Sequence, residues 1–138
     1  MPPERIGPYE IIKPIGQGGM GEVLLGRDDR LDRQAAIKIL PEKPDDNEQR
    51  RQRFLEEARS ASAISHPNVC VIYDVGETDV GQPFIAMEYI DGLPMNLFRE
   101  QDGSELGREL TRKERIHLFL KVCDAVTSAH RRGIIHRD

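Results

Sequence analysis

The chain has 138 residues, 38% of them hydrophobic and 32% charged, with a formal net charge of −4. That length suits one modest domain or a piece of a larger one, and an acidic balance with Lys and Arg interspersed among Asp and Glu argues against nucleic acid as a partner. No apolar run approaches the roughly 18–20 residues that a membrane helix needs, and MPPERIGPYEI at the start lacks the apolar core of a signal peptide, so a cytoplasmic chain is expected.

The first half is punctuated like an antiparallel sheet. YEIIKPI leads into a glycine-dense stretch and EVLLGRD leads out of it. DDRLD turns the chain into QAAIKIL, and Pro41 with Pro44 stops that strand. Over residues 46–65 the period changes: Phe54, Ala61 and Ile64 recur at helical spacing, with Asp46 or Asn47 as the N-cap, and His66-Pro67-Asn68 ends the helix. Two further strands, VCVIYDVGE and PFIAMEYI, are joined by the polar turn TDVGQ. Beyond Asp91-Gly92 the character is helical. A short segment near Asn96–Gln101 precedes a linker holding Gly103 and Gly107. Thr111 to Glu114 form a capping box, and the helix behind it carries Ile116, Phe119, Leu120, Cys123 and Val126 on one stripe until Gly133 ends it as the C′ residue. Cys70 and Cys123 lack CxxC or Cys/His spacing and read as two reduced core thiols, with no metal site expected.

Residues 16–23 read GQGGMGEV. Glycine at this density marks either a flexible joint or a close approach of bare backbone to a ligand. A Walker A loop requires Lys and Ser/Thr after the second glycine, where Glu22 and Val23 stand. A dinucleotide loop requires a helix directly after the glycines and an acid about 20 residues on, whereas here a strand follows and the region around Ala36 has no acid. What fits is strand, glycine turn, strand: a hairpin whose backbone can lie over phosphates, in the pattern G-x-G-x-x-G-x-V. A plain flexible hairpin remains open on these residues alone.

In AAIKIL, Lys38 alternates with Ile37 and Ile39, and by itself such a lysine sits on the solvated face of a sheet. The following helix offers it a partner. Glu57 is three residues after Phe54 and so shares the phase of Phe54, Ala61 and Ile64, whereas Glu56 groups with Gln52, Arg53, Arg59 and Ser60. A glutamate on a packing face requires a partner, and an ion pair with Lys38 would leave the ammonium able to reach anionic phosphates.

Taken together, IGQGGMGEV, AAIKIL, RFLEEARSASAISHPNV, IYDVGE, FIAMEYIDG and GIIHRD resemble the eukaryotic-type (Hanks-type) Ser/Thr protein kinases, and most of all their bacterial members, in order and spacing over residues 9–138. The resemblance implies an α+β fold: a kinase-like N-lobe of five antiparallel strands with one αC-type helix over 9–90, then hinge and first C-lobe helices over 91–138, with 1–8 as an N-terminal segment. It implies ATP as ligand and Mg²⁺ in the complete protein. Gly16, Gly18 and Gly21 would cover the phosphates, with Val23 and Ala36 enclosing adenine, and Ile15, Gln17 and Gly19 would complete the cofactor-binding loop. Lys38 would bind the α- and β-phosphates while paired to Glu57. Met87 falls at the gatekeeper position, the backbone of Glu88 and Ile90 would meet the adenine edge, and Asp138 of His136-Arg137-Asp138 would accept the substrate hydroxyl's proton. Ala35 in place of valine and Leu24 in place of an aromatic are conservative departures.

The larger departure is that the family's magnesium-binding asparagine and DFG aspartate, which follow HRD, are not among these residues. The chain by itself is therefore expected not to transfer phosphate. The expectation for folding is a self-sufficient lobe up to about residue 92 and a poorly fixed, aggregation-prone 93–138, whose stripe lacks a partner. The protein substrate stays unspecified, and a non-catalytic nucleotide-binding or interaction module is the alternative function.

Overall fold

The computed structural model describes residues 3–18, 21–40, 48–94 and 110–135. Two compact units are present: residues 1–65 with 70–89, and residues 66–69 with 90–138.

The first unit is built on strands β1 (Arg5–Ile6), β2 (Tyr9–Gly18), β3 (Gly21–Asp28), β4 (Arg33–Ile39), β5 (Ile72–Glu77) and β6 (Pro83–Glu88), with helix α1 (Glu48–Ser62) between β4 and β5. The strands form one antiparallel sheet in the order β1-β2-β3-β4-β6-β5. Sequence reading expected five strands. The sixth, β1, is two residues long, too short to show a period, and it lies in the stretch taken as an N-terminal segment. It belongs to the lobe all the same, because Ile6 pairs with Tyr9 and is fully buried.

One face of the sheet holds the core. Leu24, Ala35, Ile37, Ile39, Phe84 and Ala86 alternate onto it from three adjacent strands and meet Ile6 and Tyr9. Tyr9 and Phe84 touch edge-on, with ring centroids 6.4 Å apart. The packing leaves no room at Gly26, where an added Cβ would lie 2.6 Å from Cδ1 of Ile37. The β3–β4 turn is closed by Asp28, whose buried carboxylate accepts bonds from the Arg30 backbone N–H at 3.0 Å and from its guanidinium at 3.1 Å. The Arg30 side-chain bond outweighs desolvation and holds the Asp28 carboxyl below the usual carboxylate range.

Helix α1 packs against β5 and β6. Its buried face is centred on Ala58, with Phe54, Leu55 and Ala61 half-buried around it. Its expected N-caps, Asp46 and Asn47, lie outside the described residues. The second unit contains α2 (Arg112–Arg131), which begins with the expected capping box: the Thr111 hydroxyl accepts from the Glu114 N–H at 3.2 Å, and the Glu114 carboxylate accepts from the Thr111 N–H at 2.7 Å. Gly133 follows the helix with φ of 74°, as a C′ glycine should. Within this unit the His66–Asn68 turn docks on the helix: Nε2 of His66 is 2.9 Å from Oδ2 of Asp124, and Nδ2 of Asn68 donates to the Lys121 carbonyl at 3.5 Å. The stripe named from sequence stays exposed, including Ile116, Phe119, Leu120 and Val126. The expected short helix near 96–101 and its linker fall outside the described residues.

Candidate functional site

The glycine stretch forms a hairpin, as strand–turn–strand reasoning requires. Gly18 pairs with Gly21, Gln17 with Glu22 and Gly16 with Val23, while Gly19 lies outside the described residues. Gly21 has φ of 121°, a conformation that a side chain would strain. Gly16 differs. Its φ is not positive, and a Cβ built there would sit in ordinary contact with Val23, 3.7 Å from its Cβ. Among the described residues nothing demands glycine at that position. What a side chain would do there is fill the space over Val23.

Register then decides which residues share that space. Directly opposed residues in an antiparallel pair point to the same face. One row runs Gly16, Val23, Lys38, Ile85, Val75 across the sheet, and the next runs Leu25, Ala36, Met87, Ile72. Val23, Ala36, Lys38 and Met87 therefore lie together on the face opposite the core. Val23, Lys38 and Met87 are half-buried and Ala36 is buried. Ile15 is the extra residue of a β-bulge between Pro14 and Gly16, which redirects its side chain from the regular alternation and leaves it 37% exposed. The result is an apolar platform of Val23, Ala36 and Met87 with one cation, Lys38, at its glycine-hairpin end. Flat apolar rings suit the platform and phosphates suit the cation with the bare backbone, so a nucleoside phosphate fits the donor set.

At the end of β6 the backbone of Glu88 is engaged within the sheet. Its N–H donates to the Val71 carbonyl at 2.8 Å and its carbonyl accepts the Cys70 thiol at 3.4 Å, while Oε2 accepts from the Val71 N–H at 3.4 Å. A carbonyl has a second lone pair, so the Glu88 oxygen keeps one acceptor position for an outside donor. Its N–H keeps none. Partial burial, and then the nearby Glu88 charge, push the Cys70 thiol above its ordinary pKa. The expectation that Cys70 and Cys123 are core thiols is corrected, since both are exposed; the contact of Cys70 with Glu88 joins positions 18 residues apart and leaves no local signal. Ile90, the second expected hinge contact, belongs to the other unit and is exposed.

The expected burial of Glu57 is corrected by the structure. Glu57 is exposed, and among the described residues no ion pair joins it to Lys38. The reason is phase. At about 100° per residue, Phe54, Ala61 and Ile64 centre a face close to Glu57, but α1 ends at Ser62 and Ile64 is not part of it. The residues that pack centre instead on Ala58, about 100° away from Glu57. Arg51, not singled out from sequence, is half-buried and ion-paired with Glu77 on β5. Asp138, with His136 and Arg137, lies outside the described residues. Among the described residues no cluster of three or more His, Cys, Asp or Glu could hold a metal ion, and no helix is long and apolar enough to cross a membrane.

Residues 9–138 match the family described as protein kinase domain. The chain is 41% identical over 133 residues to the serine/threonine-protein kinase PrkC of Bacillus subtilis, an alignment that covers 96% of this chain and 19% of that protein. It is 36% identical over 140 residues to the serine/threonine-protein kinase PknB of Mycobacterium leprae, covering 99% of this chain and 22% of that protein. Among solved structures it resembles the PknI kinase domain of Mycobacterium tuberculosis, with a TM-score of 0.76 and 29% identity, covering 97% of this chain and 53% of that one. The chain thus spans about a fifth of the length of these curated relatives and about half of the solved kinase domain.

Proposed function

The chain belongs to the protein kinase family, and from that premise we propose that it is the nucleotide-binding portion of a serine/threonine protein kinase, which in its complete form moves the γ-phosphate of ATP to protein hydroxyls. The observation that carries this reading is the row Gly16–Val23–Lys38 beside Ala36 and Met87, on the sheet face away from the core. The glycine hairpin presents N–H groups without side chains, Lys38 supplies the positive charge, and Val23 and Ala36 enclose one side of a planar base. Met87 sets the depth to which a base can enter. The Glu88 carbonyl offers an acceptor at the base's edge. Electrostatic positioning of this kind dominates phosphoryl transfer, which asks little covalent chemistry of the protein.

Mg²⁺ accompanies ATP in this family and neutralises charge that develops on the phosphates. Asp138 is the proposed base that accepts the proton from the substrate hydroxyl. The asparagine and DFG aspartate that hold the metal in relatives are not among these 138 residues, so Mg-ATP is proposed to bind this chain without being turned over by it.

Titration of the chain with a fluorescent ATP analogue tests the reading. Binding should be detectable, and Lys38→Ala should weaken it by at least tenfold without altering the thermal unfolding midpoint. Equal affinity in the variant would remove Lys38 from the site. The separation of Glu57 from Lys38 favours a second reading, a module that binds nucleotide without catalysis. Transfer of radiolabelled phosphate by the complete protein, lost on Lys38→Ala, decides for the kinase; binding without transfer decides for the module.

A further inference from the structure

Resting on the nucleotide-site reading above, we propose that the Glu88 carboxylate is a positioning group: it takes the place of its own main-chain carbonyl in the β5–β6 ladder and so frees that carbonyl to accept the amine of a base. Ile72 pairs with Met87, so the next opposed pair in the antiparallel register is Val71 with Glu88. Opposed residues that make one N–H···O=C bond ordinarily make the reciprocal one as well. Here only the first is made. The Glu88 N–H donates to the Val71 carbonyl at 2.8 Å, but the Val71 N–H donates to Oε2 of Glu88, at 3.4 Å, and not to the Glu88 carbonyl. A strand end that simply frayed would leave the Val71 N–H to water. β6 does end at Glu88, yet the N–H is engaged by the side chain of the residue whose carbonyl it would otherwise take, an ionised acceptor in competition with a neutral one.

Register also shows that the carboxylate acts from the side away from the ligand. Glu88 is opposed to Ala35, a member of the core layer, whereas Met87 is opposed to Ala36 on the platform. The side chain therefore leaves on the core side and acts on a bound base through the main chain alone. The freed carbonyl belongs to the peptide unit joining Glu88 to Tyr89, and without the ladder bond its oxygen is not tied to β5. Among the described residues its donor is the Cys70 thiol at 3.4 Å, a weak donor that leaves the second lone pair open. Partial burial and then the Glu88 charge push that thiol above its ordinary pKa, so it stays protonated. With the Glu88 N–H spent on Val71, the strand end offers an acceptor and no donor. Such an edge favours a purine with an exocyclic amine over one with an oxygen in its place.

The test uses the 138-residue chain with Glu88→Ala and Glu88→Gln, each titrated with ATP and with inosine triphosphate, which carries an oxygen where ATP carries the amine. Without the carboxylate the Val71 N–H returns to the main-chain carbonyl. ATP affinity should then fall about three- to tenfold in Glu88→Ala, the range one neutral hydrogen bond supports, while affinity for inosine triphosphate stays the same or rises. Glu88→Gln keeps a side-chain oxygen acceptor and should hold ATP within about twofold of the parent. A loss of inosine triphosphate affinity as large as that of ATP, undiminished ATP affinity, or as large a loss in Glu88→Gln as in Glu88→Ala overturns the proposal. Scalar coupling across hydrogen bonds gives a reading that needs no nucleotide. The Val71 nitrogen should show none to the main-chain carbonyl carbon of Glu88 in the parent and should acquire it in Glu88→Ala; coupling in the parent, or none in the variant, also overturns it. Failure of the site reading looks different, since nucleotide affinity would then be indifferent to Lys38→Ala while the coupling would still report which oxygen the Val71 N–H takes.

Discussion

The inner face of the sheet and the apolar stripe of α2 are both written in the sequence as regular hydrophobic periods, yet they end in opposite environments. Leu24, Ile37 and Ala86 are fully buried, whereas Phe119 and Leu120 are 61% and 57% exposed. An alternating strand finds its partners in neighbouring strands of the same lobe, and here Ile6 and Tyr9 close the layer from the N-terminal side. An amphipathic helix has no such internal supply. It is half of a two-layer arrangement, and its period states only that a second layer is wanted. The same pattern thus produces stability in one region and an open surface in the other.

The contrast can be broken or sharpened by measurement. Ile37→Ala should cost about 2–5 kcal/mol, the range for emptying a packed aliphatic site, read as a drop in the denaturant midpoint; a cost below about 1 kcal/mol would mean that the sheet core is not packed as described. Thr111→Ala removes one half of the capping box and should destabilise α2 by about 1 kcal/mol, visible as faster amide exchange in the helix with none in β3 and β4. Phe119→Ala should lie within about 0.5 kcal/mol of the parent. A loss as large as that of Ile37→Ala would show that the stripe is covered in solution, and sedimentation would then reveal self-association.

Acid distinguishes the regions too. Asp28 is depressed in the folded state by the Arg30 side chain, so the unfolded chain binds its proton first as pH falls. Its contribution is complete above the ordinary aspartate value of about 3.9 and is lost as pH drops through the lower folded value. An Asp28→Asn chain should lack that part of the acid-induced decline, monitored by near-ultraviolet dichroism at fixed ionic strength. An unaltered decline would detach Asp28 from the stability of the β3–β4 turn.

Much of the lobe was legible because its signals are local. The strand periods, the glycine hairpin, the Thr111–Glu114 capping box and the Gly133 stop each depend on residues within a few positions of one another, and each forms as read. The grouping of Val23, Ala36 and Lys38 was implied by the family resemblance alone, and it is the cross-strand register that puts the three on one face of the sheet. Three features were not legible. The β1 strand is too short to have a period. The phase of α1 was misjudged because Ile64, beyond the helix end, was counted into its stripe. The engagements of Arg51 with Glu77 and of Cys70 with Glu88 cross 26 and 18 positions, and no property of either residue announces its partner.

By itself, then, the sequence determined the family and the order of elements, because these follow from periodicity and motif spacing along the chain. Only the tertiary structure decided how α1 rolls on the sheet, and with it that Glu57 stands apart from Lys38 while Arg51 holds Glu77. A helix's roll is set by how its side chains interlock with another surface, a competition among contacts distant in sequence, and a helical period by itself leaves that angle undetermined.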